Sequence, residues 1–268
     1  MNEAGVGMPN LTKFDKSSLM SSIATLDRRA DEVRRVMERS TLSKITSFWE
    51  QLDLSAIYHD CALEGQVVSP DELEAAFNAH SVADVATLPL YTSLRSHKTA
   101  LELIRELAGR SRLDWDIALF KRFHALFAPD PDEGKAGRFR KDIPLHRSYF
   151  HEIAEPQKIP AAMRKLVDWL ADPTDPEDEH PVLFAAKLHY RFMRIFPFSD
   201  TSGKVGRAVM NLLLVRHGYL PAIIHATERQ RYYESLRQQE NGLEELIVDS
   251  AQASLEAAMR FLSDAVAS

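Results

Sequence analysis

The chain has 268 residues, 45% of them hydrophobic and 27% charged, which matches ordinary globular proteins and excludes wholesale disorder. Its 33 Lys and Arg against 39 Asp and Glu give a net charge of −6, a balance that argues against a general nucleic-acid binder, whose footprint is a basic face. The single cysteine, Cys61, excludes an internal disulfide and fits a reducing compartment.

No apolar run reaches the roughly 18 residues that a spanning helix needs, the opening residues lack the pattern of a signal peptide, and no internal period marks a solenoid or propeller. The expectation is a soluble, cytoplasmic chain with no membrane and no nucleic-acid partner.

Residues 1–16 hold Gly5, Gly7 and Pro9 and read as a loose tail. From Ser17 to about Leu52, Leu19, Ile23, Leu26, Ala30, Val33 and Met37 recur at helical spacing. A further helix is expected near 55–63, stopped by Gly65, and Ser69-Pro70-Asp71-Glu72 has the form of a helix start with Ser69 as N-cap. Pro89 precedes a long helix to about Arg110, and 114–127 is another. Pro129 to Gly134 is a loop by its Pro, Asp and Gly content. Phe139–Ile153 is the only strand-like stretch and is predicted to be an irregular hairpin. Helices are predicted over 158–170, 181–195 and 203–217, the last closed by Gly218, with an acidic loop at 172–179 and two or three helices to the C-terminus. The fold class is all-α with one small β element.

The net charge hides a local reversal. Between Lys187 and Arg231 lie eight Lys or Arg and only two acids, Asp200 and Glu228. Charges on solvated helix faces account for such a count equally well, but two details point to a site. The turn Phe198-Ser199-Asp200-Thr201-Ser202-Gly203 enters a nearly all-apolar helix, Val205 to Val215, and such a helix is central to the core. Its N-terminus offers N–H groups and a partial positive charge to a phosphate or carboxylate, and Gly203 permits close approach. Lys204 and Arg207 then sit on its first turn, where cations are unfavourable unless an anion compensates. Asp200 is a candidate Mg²⁺ ligand, completed by phosphate oxygens. The constellation suggests a Mg²⁺-nucleotide site; a plain N-cap role for Asp200 or Ser202 is the alternative.

At these residues the sequence resembles the Fic (filamentation induced by cAMP) family, whose motif is H-P-F-x-(D/E)-G-N-G-R-x-x-R. Pro197, Phe198, Asp200, Gly203 and Arg207 match, Lys204 is a conservative change, and Phe196, Thr201 and Ser202 depart. The flanking segments "HPVLFAAKLHYRFMRIFPF", "RAVMNLLLVRHGYLP", "ERQRYYESL" and "GRFRKDIPL…EPQKIPAAMRKLVDWL" extend the likeness over roughly 90–240.

The resemblance implies an all-helical domain with a small hairpin flap. It implies ATP and Mg²⁺ as cofactors and, in most characterised members, transfer of AMP to a protein hydroxyl. Carried over, Asp200 would hold Mg²⁺ and the Thr201–Lys204 backbone would form the anion hole, with Ser202, Gly203 and Gly206 in the nucleotide turn. Lys204 would replace the first motif arginine and Arg207 would meet the terminal phosphate. Phe196 stands where the family has its histidine base, and a phenyl ring accepts no proton. Positioned acid–base catalysis is worth about 10²–10⁴-fold, so either the chemistry is altered or the protein is a nucleotide- or partner-binding regulator without catalysis. A helical interaction module without nucleotide is a third reading. The acceptor is then a protein side chain or a small anionic molecule.

Other histidines bear on the missing base. His189 lies two turns before Phe196, about 10 Å away along a helix, and reads as a packed core residue. His146 and His151 fall on the flap, which in the family aligns a target peptide by strand addition, and His225 matches no catalytic position. Many members also carry an inhibitory helix ending in Ser or Thr, three residues, Glu, then Gly or Asn. Asp60-Cys61-Ala62-Leu63-Glu64-Gly65 fits it with Asp60 in the first place, making Glu64 the inhibitory acid. The implied organisation is a tail over 1–16, an N-terminal helical region over 17–88, a Fic core over 89–245 and a C-terminal helix over 246–268. A homodimer through 1–55 is a further expectation.

Overall fold

In the computed structural model, residues 16–77, 87–128, 134, 136–144, 151–171 and 179–264 are described. They form ten α-helices: α1 (Lys16–Arg39), α2 (Leu42–Leu63), α3 (Pro70–Phe77), α4 (Leu88–Ala108), α5 (Ile117–Phe127), α6 (Ile159–Ala171), α7 (Pro181–Ile195), α8 (Ser202–Arg216), α9 (Arg229–Arg237) and α10 (Glu244–Asp264). Short 3₁₀ turns precede α6, α9 and α10. None of these helices is long and apolar enough to cross a membrane.

The architecture follows from α8. Val205, Val209, Met210, Leu212, Leu213 and Leu214 are all buried, so apolar side chains leave the helix in every direction. Such a helix needs neighbours on all sides. It packs chiefly on α7 and α4, then on α5, while α1 lies along α10. Gly206 makes the α7 contact possible: a Cβ there would come within 2.9 Å of both His189 and Phe192.

The remaining ties hold α2 against this centre. Arg105 of α4 donates to both carboxylate oxygens of Asp53 on α2, at 2.6 and 2.8 Å. At the end of α2, the Leu63 carbonyl accepts from Arg229 Nε at 3.1 Å and from the Tyr233 hydroxyl at 3.0 Å. His59 Nδ1 accepts from the Ala226 backbone N–H at 3.2 Å, and its ring stacks on His225 at 4.3 Å. These contacts fix where the residues around Glu64 stand.

Several predicted elements have the expected places. Ser69 and Glu72 form a capping box: Ser69 Oγ accepts from the Glu72 N–H at 3.2 Å, and Glu72 accepts from the Ser69 N–H at 2.8 Å. Pro181–Ile195 is helical as read. One expectation is corrected. There is no break near residues 53–55: the chain interrupts earlier, at Ser40-Thr41, where Thr41 caps α2 by accepting from the Lys44 N–H, and α2 then continues to Leu63. The hairpin expected over Phe139–Ile153 is not seen in 139–144 or 151–153, which contain no strand, and its middle, 145–150, lies outside the described residues. At the edges of this segment, backbone groups pair with the end of α7: Arg140 N–H with the Pro197 carbonyl and Ala154 N–H with the Arg194 carbonyl, each at 2.9 Å. The expected tail, most of the 129–134 loop, most of the acidic 172–179 loop, and His146 also fall outside the described residues.

Candidate functional site

The turn between α7 and α8 is bounded by two left-handed residues that are not glycine. Phe196, the C-cap of α7, has φ 46°, and Thr201, just before α8, has φ 58°. A bulky side chain adopts that conformation only when its surroundings enforce it. Arg140 supplies much of that constraint. Its Nε donates to the Phe196 carbonyl at 2.7 Å, Nη1 to the Asp142 carbonyl at 3.0 Å, and Nη2 to the carbonyls of Ala154 and Ile195. A guanidinium here satisfies carbonyls that a helix end leaves unpaired and sits favourably at the negative end of the helix dipole.

The turn is then stitched internally. Phe198 is fully buried and stacks on His124 of α5, with centroids 4.0 Å apart and rings within 12° of parallel. The His124 ring is set by its Nδ1 accepting from the Gly137 N–H at 2.9 Å. Ser202 Oγ accepts from the Phe198 N–H and donates to its carbonyl, both at 2.9 Å, so this hydroxyl is turned into the loop. Phe196 is 1% exposed, with the His151 ring edge-on to it at 6.3 Å, while His151 Nε2 lies 3.0 Å from the Met193 carbonyl. Asp200 is exposed at the tip of the turn.

Neither Asp200 nor Ser202 caps α8. Thr201 holds the N-cap position and makes no side-chain cap hydrogen bond, and its enclosed Oγ1 has no partner among the described groups. What approaches the helix start is a carboxylate. Glu64, at the C-cap of α2, places Oε1 2.0 Å from where a Cβ on Gly203 would stand, so any side chain at that position would displace it.

The same carboxylate accepts from Arg207 Nη2 at 2.8 Å, and the other guanidinium nitrogens are engaged as well. Arg207 Nε donates to Asp60, and Nη1 donates to the Tyr232 hydroxyl at 3.2 Å. On one side the network continues to His97 of α4, 3.1 Å from the second Asp60 oxygen. On the other, the Tyr232 hydroxyl meets His189 Nε2 at 2.9 Å. One buried chain of polar groups therefore links α4, α2, α8, α9 and α7.

Its electrostatics follow from depth. Burial pushes the Asp60 carboxyl up, but Arg207, the His97 hydrogen bond and Lys204 outweigh it and hold Asp60 well below the usual carboxylate range. Burial opposes the Arg207 charge too, and Asp60, Tyr232 and Glu64 more than restore it. Lys204 is 6% exposed and rests its Nζ 3.8 Å from Cys61 Sγ. Cys61 is itself buried, and burial raises its thiol.

The structure thus brings Glu64, Gly203, Lys204 and Arg207 together and leaves Asp200 at the solvent-facing tip. Gly206 faces α7 rather than the helix start. Sequence reasoning missed three participants. Tyr232 and His97 carry no local signal, because their role is defined only by what other helices present to them. Arg140 was visible only inside "GRFR". Among the described residues, no three His, Cys, Asp or Glu side chains cluster as a metal site.

The described residues thus form an all-helical domain in which a carboxylate from α2 stands against the start of α8. Residues 114–214 match the model of the Fic/DOC family. The chain is similar to a protein adenylyltransferase Fic of Nematostella vectensis, at 28% identity over 186 residues, covering 69% of this chain and 43% of the relative. A protein of the same description from Drosophila willistoni is 26% identical over 216 residues, covering 80% of this chain and 42% of the relative. The chain therefore spans about two fifths of the length of these curated relatives. In fold it is similar to a Fic domain-containing signalling protein of Bacteroides thetaiotaomicron, with TM-score 0.75 and 22% identity, covering 89% of this chain and 98% of that one. Fic-1 of C. elegans superposes with TM-score 0.78 and 21% identity, covering 94% of this chain and 74% of that one. The match to the Fic/DOC family is thus carried by residues 114–214, and the fold is shared with these Fic structures.

The buried histidines make stability depend on pH. Burial lowers His189 to about 3 and His124 to about 4, and it lowers His97 as well. Their folded values lie below the unfolded value near 6.5, so below that pH the unfolded chain binds protons that the native state refuses. Stability is full above about pH 6.5 and falls on acidification, each buried histidine contributing up to about 1.4 kcal/mol per pH unit. Urea unfolding is expected to lose at least about 2 kcal/mol between pH 6.5 and 5; an unchanged midpoint would contradict this placement of the histidines.

Proposed function

We propose that the chain is a Mg²⁺-nucleotide-binding member of the Fic family, related to adenylyltransferases, whose chemistry is altered because Phe196 stands in the place of the base. The observation that carries the reading is the Glu64 carboxylate on Arg207 and against Gly203. An anion of the chain itself lies where the uncapped start of α8 and a buried guanidinium would hold a nucleotide's terminal phosphate. Glu64 is accordingly the inhibitory acid, displaced when nucleotide enters. The proposed organisation keeps a Fic core over 89–245, with the inhibitory helix in the preceding 17–88.

The donor set fits the cofactors of the family. Asp200, exposed beside the helix start, suits a hard cation held by one carboxylate and phosphate oxygens. Mg²⁺ bound there would neutralise charge on the transferred phosphoryl group. Lys204, Arg207 and the first backbone N–H groups of α8 would orient the phosphates. Ser202 contributes through its backbone, since its hydroxyl is committed to Phe198.

The nucleophile is the open element. A hydroxyl sheds a proton as it attacks phosphorus, and Phe196 cannot take it. A carboxylate or phosphate arrives already ionised near neutral pH. In that case the acceptor oxygen bonds to the α-phosphorus, the bond to the bridging oxygen breaks, and pyrophosphate leaves with its electron pair; no proton moves. Positioning and charge neutralisation suffice for such a transfer, and the cations between Lys187 and Arg231 favour an anionic acceptor. Burial of Phe196 beside His151 also supports a second reading, a nucleotide-responsive regulator without turnover. A lone buried Cys61 suits a cytoplasmic setting for either.

The site reading is tested by binding. Asp200→Ala, or removal of Mg²⁺ with EDTA, is expected to weaken ATP binding at least about tenfold, or about 1.4 kcal/mol; calorimetric affinities unchanged by both would refute it. Incubation with Mg²⁺-ATP and a panel of carboxylic acids, following pyrophosphate release, then separates enzyme from regulator.

The chemistry is tested at the departing position. Phe196→His should create or increase labelling of protein hydroxyls from ATP, while the parent labels at background. Robust labelling of Ser, Thr or Tyr by the parent chain would overturn the altered-chemistry reading.

A further inference from the structure

Arg207 carries a second carboxylate, and it differs from the first in how easily it can leave. Glu64 is the C-cap of α2, followed by Gly65 with its φ of 82°, so it stands at the end of the helix and not within it. Asp60 lies one turn inside the helix. One of its oxygens accepts from Arg207 Nε and the other from His97 Nε2 at 3.1 Å. Asp60 is thus held from two sides, by Arg207 and by His97, within the body of α2.

His97 reinforces the charge on Asp60. It is 3% exposed, and its Nδ1 has no hydrogen-bond partner among the described groups. Protonated, that nitrogen would be a buried N–H with no acceptor, a costly arrangement. The neutral tautomer with hydrogen on Nε2 fits, donating to Asp60 and leaving the carboxylate as the anion. Near the phosphate end, Lys204 and Arg207 are then balanced by Asp60 and Glu64. Displacing Glu64 uncovers one net positive charge there; neutralising Asp60 as well would uncover two.

We propose that Asp60 is a specificity-determining residue: as a standing counter-ion on Arg207 it cancels the advantage of a third phosphate, so the site takes nucleoside diphosphates about as readily as triphosphates. The proposal rests on the nucleotide reading above. The γ-phosphate would add negative charge but meet a guanidinium already paired through Nε, whereas charges on the α- and β-phosphates would be served by Lys204, the start of α8 and a cation held by Asp200. The resemblance supplies Ser or Thr at this place, which carries no charge, so the effect belongs to this chain's own residue.

The test is calorimetry with Mg²⁺ and AMP, ADP or ATP on the full chain as parent, E64Q, D60N and D60N/E64Q. The expected ratio of ATP to ADP affinity stays within about threefold in the parent and in E64Q and rises at least about tenfold in D60N/E64Q, while AMP affinity holds within about twofold. A second pair of variants, D60S and D60S/E64Q, should repeat the pattern, which guards against a local effect of the amide. A tenfold rise already present in E64Q, with less than about a twofold addition from D60N, overturns the proposal and leaves Glu64 as the sole determinant. A ratio flat across all four proteins with clear nucleotide binding also overturns it. Absence of binding by any nucleotide to any of the four refutes the nucleotide reading itself, and the proposal with it.

Discussion

A guanidinium that cannot lose its proton is held in the core of this molecule, and most of the arrangement around it follows. α8 is apolar on nearly every side, so the helix must be central, and that takes Arg207 inside with it. Burying an unpaired charge costs several kcal/mol, and removing one partner of a buried pair typically costs about 3–5 kcal/mol. Arg207 therefore requires acceptors from its neighbours, and they come from different helices: Asp60 and Glu64 from α2, Tyr232 from α9. The docking of α2 is thus part of the electrostatics of α8. In the proposed nucleotide site, a phosphate that displaced Glu64 would take over its charge on Arg207, which would tie occupancy to the seating of the end of α2.

Arg140 applies the same logic at the other end of the turn. The left-handed backbone at Phe196 and Thr201 is held because carbonyls at the end of α7 are gathered by one side chain and because Phe198 is locked on His124. Function in such a site depends on which side chain the frame presents. Here the frame is built around Phe196, whose ring offers no proton acceptor, so a family likeness in fold leaves the chemistry to be decided by the residues themselves.

Much of this was legible in the sequence, for identifiable reasons. The central helix announced itself by continuous apolar residues from Val205 to Val215, and Lys204 and Arg207 stood out because cations at a helix start need an anion. The capping box at Ser69 and Glu72 was a local pattern and came through as one. The hairpin expected between 139 and 153 rested on a weak alternation, and only its edges are described, where the backbone groups of Arg140 and Ala154 pair with the end of α7. The continuity of α2 was missed because its interruption at Ser40-Thr41 is a capping event without Gly or Pro. His97, Tyr232 and Arg140 were out of reach: each acts through a contact between residues far apart in the chain, and no periodicity encodes that.

Arg207 is the proposed terminal-phosphate site, and a crystal structure of the full chain with Mg²⁺ and ATP tests that role most directly. The expected result is the terminal phosphate on the Arg207 guanidinium, the Glu64 carboxylate withdrawn from Nη2 and from Gly203, and Asp60 still on Nε with His97 behind it. Nucleotide bound elsewhere while the Glu64–Arg207 contact remains intact would contradict the account.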